Sequence, residues 1–444
     1  METAISTADV LAAFRRATRS SFWLLCADIY PALVAACIPW STTAVAAFMV
    51  IWFVVLLPTI NHREFLESLK QPASWLPLAF FTLVILGMLW SDASWPERLR
   101  GVSPAAKLLA IPFLLYHFQR SQRGHWAFIA FLLSCTILML ASWSVLYAPD
   151  WRMTHWGVAG VPIKNTIDQS QEFGLCIFAL CPVALTLFGQ RRFTMAAACA
   201  ALILALFASL MFVAIARTAL VYMPVLLMLF ALKYLGRHAT LALFGAAMAI
   251  ALVVWSTSPY LRLRVSNIAI EYKEYKEKHL VTSTGERLEW WGKSLDFIGE
   301  APLFGNGTGS IKQLFERDGA KEDGWRISIE NPHNQTLSVA VQWGILGCMI
   351  LYAMWSSHLL LFGGFSLPAW IGLIVVVQNF VSSIFNSHLF DFNEGWIYVL
   401  GVGVAGAIVS QRRSCRGKNG EPDCSRAMPF QTPIIRSRAN FARP

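Results

Sequence analysis

At 444 residues the chain is long enough for two or three soluble domains, yet 56% of it is apolar, only 14% is charged and its mean hydropathy is +0.52. That balance excludes a soluble multidomain enzyme and leaves a polytopic membrane protein. The net charge of +10 calls for no nucleic-acid partner if the excess collects on one membrane face.

Apolar stretches of roughly 17 to 25 residues, enough to cross a ~30 Å hydrocarbon core as helices, recur along most of the chain. In order they are 21–38, 42–59, 75–91, 104–118, 127–147, 173–190, 194–213, 219–232, 239–257, 335–354, 366–384 and 395–410. They predict an all-α polytopic integral membrane protein of about 12 transmembrane helices. Residues 1–257 carry the first nine, 258–334 a loop domain with helices, 335–410 the last three, and 411–444 a basic tail that reads as disordered and cytoplasmic. Arg15, Arg16 and Arg19 before the first apolar run have the form of a signal sequence without a small-residue cleavage site, so the run reads as an uncleaved first helix. With the N-terminus in the cytoplasm, Arg63, Lys70, Arg120, Arg123, Arg191, Arg192, Lys233, Arg237 and the tail all fall inside, as the positive-inside rule asks. The connections 92–103, 148–172, 214–218, 258–334 and 385–394 then lie outside.

The long connection holds 11 Lys/Arg and 12 Asp/Glu, a neutral, mixed composition that favours a folded segment. Within it IEYKEYKEKHL has the alternating charge of an exposed helix. Ser283-Thr284-Gly285-Glu286 has the form of a capping box, which predicts a helix over about 284–298 with Arg287 and Trp291 on one face. The nine cysteines stand singly, without ligand spacing, and read as small apolar fillers. No D-x-D motif or His/Cys/Asp cluster with ligand spacing occurs, so no metal and no cofactor is expected.

The chemistry-bearing residues gather on the outer side. In NPHNQTL, Asn331 can cap, Pro332 suits the first helical position, and His333 then lies in the first turn of the tenth span. The partial positive charge of a helix N-terminus disfavours a second one, so the imidazole keeps a lone pair for accepting a proton. The plainer reading is an interfacial histidine bonded to the loop. Arg217, in an otherwise apolar run, would cost about 2.5–3.5 kcal/mol at mid-bilayer depth. A tight turn between the seventh and eighth spans puts it at the rim, as an anion ligand or merely a snorkelling side chain. HWGVAGVPIKNTIDQSQEFGL is a polar entry to a membrane helix, with Lys164 able to face a cleft or simply to precede a late helix start. FNSHLFDFNEGW offers His388, Asp391 and Glu394, of which one carboxylate can orient His333 or an arginine, or all belong to a solvated turn.

Taken together, Ala216-Arg217-Thr218, Arg287-x3-Trp291, Pro302-Leu303-Phe304-Gly305-Asn306-Gly307, His333-Asn334-x2-Leu337 and Gly344-Ile345-Leu346-Gly347 resemble, in order and sidedness, the bacterial O-antigen ligase family. Its relatives are O-antigen polymerases and O-linked protein oligosaccharyltransferases. The resemblance spans roughly residues 160–405; the first five spans match in hydropathy alone. It implies a membrane glycosyltransferase of the C type in the bacterial inner membrane, inverting and metal-independent, with its active site facing the periplasm. The donor it implies is an undecaprenyl-diphosphate-linked glycan, and the acceptor is a sugar hydroxyl of lipid A–core. His333 would then be the base, with Arg217 and Arg287 on the diphosphate. Lys164 is a further donor-site candidate, and Asn334, Trp291 and Asp391 are supporting ones. The oligomeric state is not legible.

A polymerase or protein glycosyltransferase shares the donor half of this reaction, and a secondary transporter or lipid-glycan flippase is the alternative from another class. The transporter reading expects ionisable residues near the midplane of broken, paired spans. The sidedness has a direct check: a cysteine placed near residue 320 is expected to react with an impermeant thiol reagent in outer-permeabilised cells. Labelling only after lysis would reverse the orientation.

Overall fold

The structure, a computed structural model, describes residues 20–417 except 152, 154–158, 215, 279, 281 and 320–328, together with Thr18. The tail from 418 and the loop around 320 lie outside the described residues. What is described is helical, without a strand among those residues. In chain order the first eleven helices are α1 (Ser21–Cys37), α2 (Thr42–Leu56), α3 (His62–Ser68), α4 (Pro72–Leu86), α5 (Trp95–Ala106), α6 (Ala110–Phe118), α7 (His125–Tyr147), α8 (Thr166–Gly189), α9 (Phe193–Phe212), α10 (Ala219–Tyr234) and α11 (Arg237–Thr257). Then follow α12 (Pro259–Lys278), α13 (Ser283–Glu300) and α14 (Ser310–Gly319), and α15 (Gln335–Leu361), α16 (Leu367–Ser382) and α17 (Phe392–Gly417) are the last helices among the described residues.

Each of the expected apolar stretches falls on these helices, 104–118 running from the end of α5 into α6. Among the described residues eight helical stretches are long and apolar enough to cross a membrane by themselves, with α2 counted to Thr59 and α5 and α6 together as Trp95–Phe118, or nine if α3 and α4, bent by 91°, form one span. The shorter apolar helices α1, α10 and α16 have 17, 16 and 16 residues. At ~1.5 Å per residue each falls a few ångströms short of a ~30 Å core. The protein is thus a multi-pass membrane protein, with eight or nine stretches long enough by this measure among the described residues.

Polar side chains set the helix starts. Ser20, Ser41, Asn165, Thr282, Asn334 and Ser366 each accept a hydrogen bond from a first-turn N–H. At α13 the cap is Thr282, so the helix begins one residue before the expected start and ends at Glu300. The bundle is organised around α17, 89% of whose apolar window is buried against neighbours that include α16 and α6. At the other extreme α11 is 6% buried, with only Val254 covered, as befits a helix surrounded by lipid.

One span is broken. Within α15, Gly344 adopts φ 60°, ψ −154°, a conformation that interrupts the helical ladder. Residues 302–308 supply the missing partners. Ile345 N–H donates to Pro302 O (2.9 Å) and Leu346 N–H to Leu303 O (3.3 Å), while Val341 O accepts from Asn306 N (2.9 Å) and Gln342 O from Gly307 N (2.8 Å). Backbone inside a bilayer must find such partners, since each unsatisfied group costs several kcal/mol. Thr308 completes the joint: its N–H donates to Gly87 O at 3.0 Å, and Trp343 Nε1 donates to its hydroxyl at 2.9 Å. The approach leaves no room for side chains. A Cβ on Gly305 would stand 2.4 Å from backbone atoms of Gln342 and Trp343, and one on Gly344 2.5 Å from the Leu303 carbonyl.

Beside this joint Phe297, Ile311, Leu314, Phe315 and Ile329 form a small core with Val341 of α15. Gly305→Ala and Gly344→Ala are each expected to lower unfolding stability in detergent by at least ~2 kcal/mol, combining left-handed strain with the clash. Gly292→Ala on α13, where a Cβ meets nothing within 4 Å, is the control. It should be neutral or gain up to ~1 kcal/mol. Equal effects at the three positions would contradict the joint.

Candidate functional site

The chain enters α15 one step differently from the sequence expectation. Asn334, not Asn331, is the N-cap, its side chain accepting from Leu337 N at 3.0 Å. His333 therefore stands just outside the helix rather than in its first turn, with φ 53°. A histidine in left-handed backbone needs bracing, and several groups provide it. Asn331 Oδ1 accepts from His333 N (2.9 Å) and from Ser387 Oγ (2.7 Å). Asn334 Nδ2 donates to Ile384 O (3.0 Å), and Trp291 Nε1 donates to Pro332 O (3.0 Å). Trp290 stacks on the imidazole at 5.4 Å and 26°, a contact worth about 0.5–1.5 kcal/mol. The buried Asn386 lies 2.6 Å from His333 Nδ1 through Oδ1. Nδ1 donating to that oxygen leaves the lone pair on Nε2, which has no hydrogen-bond partner among the described residues. That is the protonation pattern of a general base.

Arg217 lies in the turn between α9 and α10, as the sequence required. Ser170 of α8 fixes the turn: its hydroxyl donates to Ala214 O (2.8 Å) and accepts from Ala216 N (2.9 Å). The guanidinium is not free. Nη1 donates to Glu271 Oε2 at 2.9 Å, and Nη2 donates to Glu271 Oε1 to complete a bidentate pair. Thr284 joins from the first turn of α13, its N–H and hydroxyl donating to Glu271 Oε2 at 3.1 and 2.6 Å. The hydrogen bond from Arg217 is the chief cause that brings Glu271 down to about 2. Arg287, one turn further along α13, is half-buried and within electrostatic reach of Arg217; burial first, and then that neighbouring charge, hold it below arginine's ordinary value. It makes no hydrogen bond among the described residues.

The remaining candidates lie in a separate polar network. Lys164 Nζ donates to Ile38 O and to Asn393 Oδ1, with Asp168, Glu172 and Glu394 nearby. No hydrogen bond joins it to either arginine. Asp391 does not orient His333: its carboxylate sits 3.1 Å from His388 Nδ1, and its backbone carbonyl accepts from Lys107 Nζ. His388, Asp391 and Glu394 bring ligand atoms within 4.8 Å of one another, a spacing the sequence reading did not find because the residues converge only where the loop turns into α17. The ammonium of Lys107, bonded to Phe390 O and Asp391 O, already stands beside these carboxylates. Beneath them a small cavity is lined by Gln171, Gln378, Asn379, His388 and Glu394 among others.

The structure thus joins Arg217, Arg287, Trp291 and His333 through one element, α13, with Asn334 next to His333 as the cap of α15. From Thr284 to Trp290 the axial rise of α13 is about 9 Å, the scale of a diphosphate and its first sugar. Sequence reading missed Glu271, Thr284, Trp290 and Asn386. Glu271 was visible only as one charge of an exposed helix, and Asn386 only as a polar residue beside the more conspicuous His388. The Arg217–Glu271 pair has a pH signature. A glutamate held below its ordinary 4.5 contributes stability that is complete above 4.5 and lost as pH falls towards about 2. Hydrogen exchange at the start of α13 is therefore expected to be flat from pH 7 to 5 after correction for intrinsic rates and to rise below about 4. In Glu271→Gln this acid step should vanish; its persistence would assign the step to another group.

Residues 200–352 match the family model described as O-antigen ligase. No curated protein matches the chain. The matched segment contains Arg217, Glu271, Arg287, Trp290, His333 and both glycines of the α15 joint, whereas Lys164, Asn386 and Asp391 lie outside it. Over residues 200–352, then, this multi-pass membrane chain is similar to the O-antigen ligase family.

Proposed function

We propose that the chain is an O-antigen ligase that transfers a glycan from undecaprenyl diphosphate to a sugar hydroxyl of lipid A–core, at the periplasmic face of the inner membrane. The observation that carries this reading is α13, which presents Arg287 beside Arg217 towards one end and stacks Trp290 on His333 farther along. A lipid-borne donor and a lipid-borne acceptor meet naturally at such a membrane threshold.

In the proposed step His333 Nε2 takes the proton of the acceptor hydroxyl as its oxygen bonds to the anomeric carbon. The bond from that carbon to the diphosphate breaks on the opposite face, so the anomeric configuration inverts. Asn386 holds Nδ1 and thereby the tautomer in which Nε2 accepts. Negative charge grows on the departing diphosphate, and guanidinium forks, planar and always charged, are suited to receive it. They fill the role a divalent cation fills in many diphosphate transfers, which makes the step metal-independent. The donor is already activated, so no nucleotide enters.

Purified protein is expected to move glycan from undecaprenyl diphosphate to lipid A–core in the presence of a chelator and without nucleotide. His333→Ala should lose about 10²–10⁴-fold, the usual contribution of a general base. Asn386→Ala should lose roughly 10- to 100-fold, the worth of a hydrogen bond to a group that becomes charged. Full activity in folded His333→Ala would remove the base, and transfer only to a second donor glycan would make the protein a polymerase.

A further inference from the structure

Resting on the diphosphate reading above, we infer that Glu271 is a built-in competitor of the donor: its carboxylate occupies on Arg217 the place that a phosphate of the donor takes. The geometry is that of an anion site filled by the chain itself. Both terminal nitrogens of Arg217 are engaged by the two Glu271 oxygens, which is the fork-to-fork arrangement a phosphate adopts with arginine. Arg287 stands close by with no hydrogen bond or ion pair among the described residues. One guanidinium is therefore occupied and its neighbour is waiting.

Charge decides the direction of exchange. With Glu271 in place the two arginines and that carboxylate sum to about +1, and Glu286, also within electrostatic reach of Arg287, lowers the local charge further. A sugar diphosphate linked at both ends carries two negative charges, and the fork of Arg217 can receive one of its phosphates only when the carboxylate gives way there. Glu271 has somewhere to remain when it does. Thr284 donates to it from both its backbone N–H and its hydroxyl, and that hydroxyl also accepts from Arg217 Nη1 at 3.2 Å, so exchange breaks the two arginine–carboxylate bonds and leaves both side chains on the first turn of α13. The N-terminal end of that helix favours a carboxylate in any case.

The same exchange works in reverse after transfer. The leaving lipid diphosphate is a monoester with more negative charge than the donor, so two uncompensated guanidinium groups would retain it. Return of Glu271 to Arg217 displaces it. Glu271 is thus a specificity and release residue: it weakens every anion that fails to bridge both arginines, and it limits how long the product stays. It touches no reacting atom.

Binding of farnesyl diphosphate to the purified full-length chain, followed by calorimetry in detergent, tests this. Glu271→Gln removes the competing charge and is expected to tighten binding about tenfold or more. In transfer assays it should lower KM for the donor and also lower kcat, as product release slows. Glu271→Asp, whose shorter side chain reaches Arg217 poorly, should bind more tightly than the unaltered chain and guards against a folding defect in the glutamine variant. Arg217→Lys should weaken binding in either background, because the fork is lost although the charge is kept. Unchanged or weaker binding by both folded Glu271 variants would overturn the inference and make Glu271 a brace for Arg217. Absence of farnesyl diphosphate binding in every chain, with glycan transfer intact, would overturn the inference alone. Absence of both binding and transfer would remove the diphosphate reading with it.

Discussion

A membrane helix that breaks must have its backbone groups satisfied by protein, and the break of α15 at Gly344 sets the terms for everything above it. The carbonyls of Val341 and Gln342 and the N–H groups of Ile345 and Leu346 are met by residues 302–307. That exchange pins the end of α13 to the middle of α15. It also seats the small core around Phe297 and Phe315 on Val341. Once α13 is fixed at this end, Trp290 and Trp291 fall over the 331–334 segment. The left-handed backbone of His333 is thus braced on one side by a helix that the joint holds.

The other end of α13 is held by charge. Thr282 caps it, Glu271 accepts from Thr284, and Arg217 reaches Glu271 from the α9–α10 turn. Ser170, deep in α8, keeps that turn in place. A rigid helix suspended between a buried glycine joint and a polar pair at the rim is a suitable mount for two functions that must keep their spacing. Precision in the placement of a base and an anion cradle matters more than their separate strengths, since a misplacement of ~1 Å costs on the order of 10²-fold.

Much of this was legible in the sequence because hydropathy reports helices directly. The twelve apolar stretches, the turn at Arg217, the helix beginning near Ser283 and the threshold histidine follow from spacing and capping chemistry. The two caps were misplaced for one reason: Asn331 and Asn334, or Thr282 and Ser283, are equally good caps locally. Packing chooses between them, through Ile384 for Asn334 and through Glu271 for α13. Long-range polar partners escape sequence reading for the same cause. Asn386 is 53 positions from His333, and Glu271 is 54 from Arg217. Neither partner is remarkable in its own neighbourhood, and each acquires its role only when the helices assemble. Lys164 and Asp391 illustrate the converse: conspicuous polar residues in apolar surroundings, they are consumed by an internal network with Asn393, His388 and Lys107.

The account's central claim is that one helix holds an anion cradle and a general base around a single substrate. A structure of the protein with an isoprenyl diphosphate glycan bound, or an unreactive analogue of it, tests that claim most directly. The account predicts the diphosphate between Arg217 and Arg287, the anomeric carbon on the side facing His333 Nε2, and Trp290 still stacked on the imidazole. Diphosphate bound in the Lys164 network instead, with both arginines left as they stand here, would contradict it.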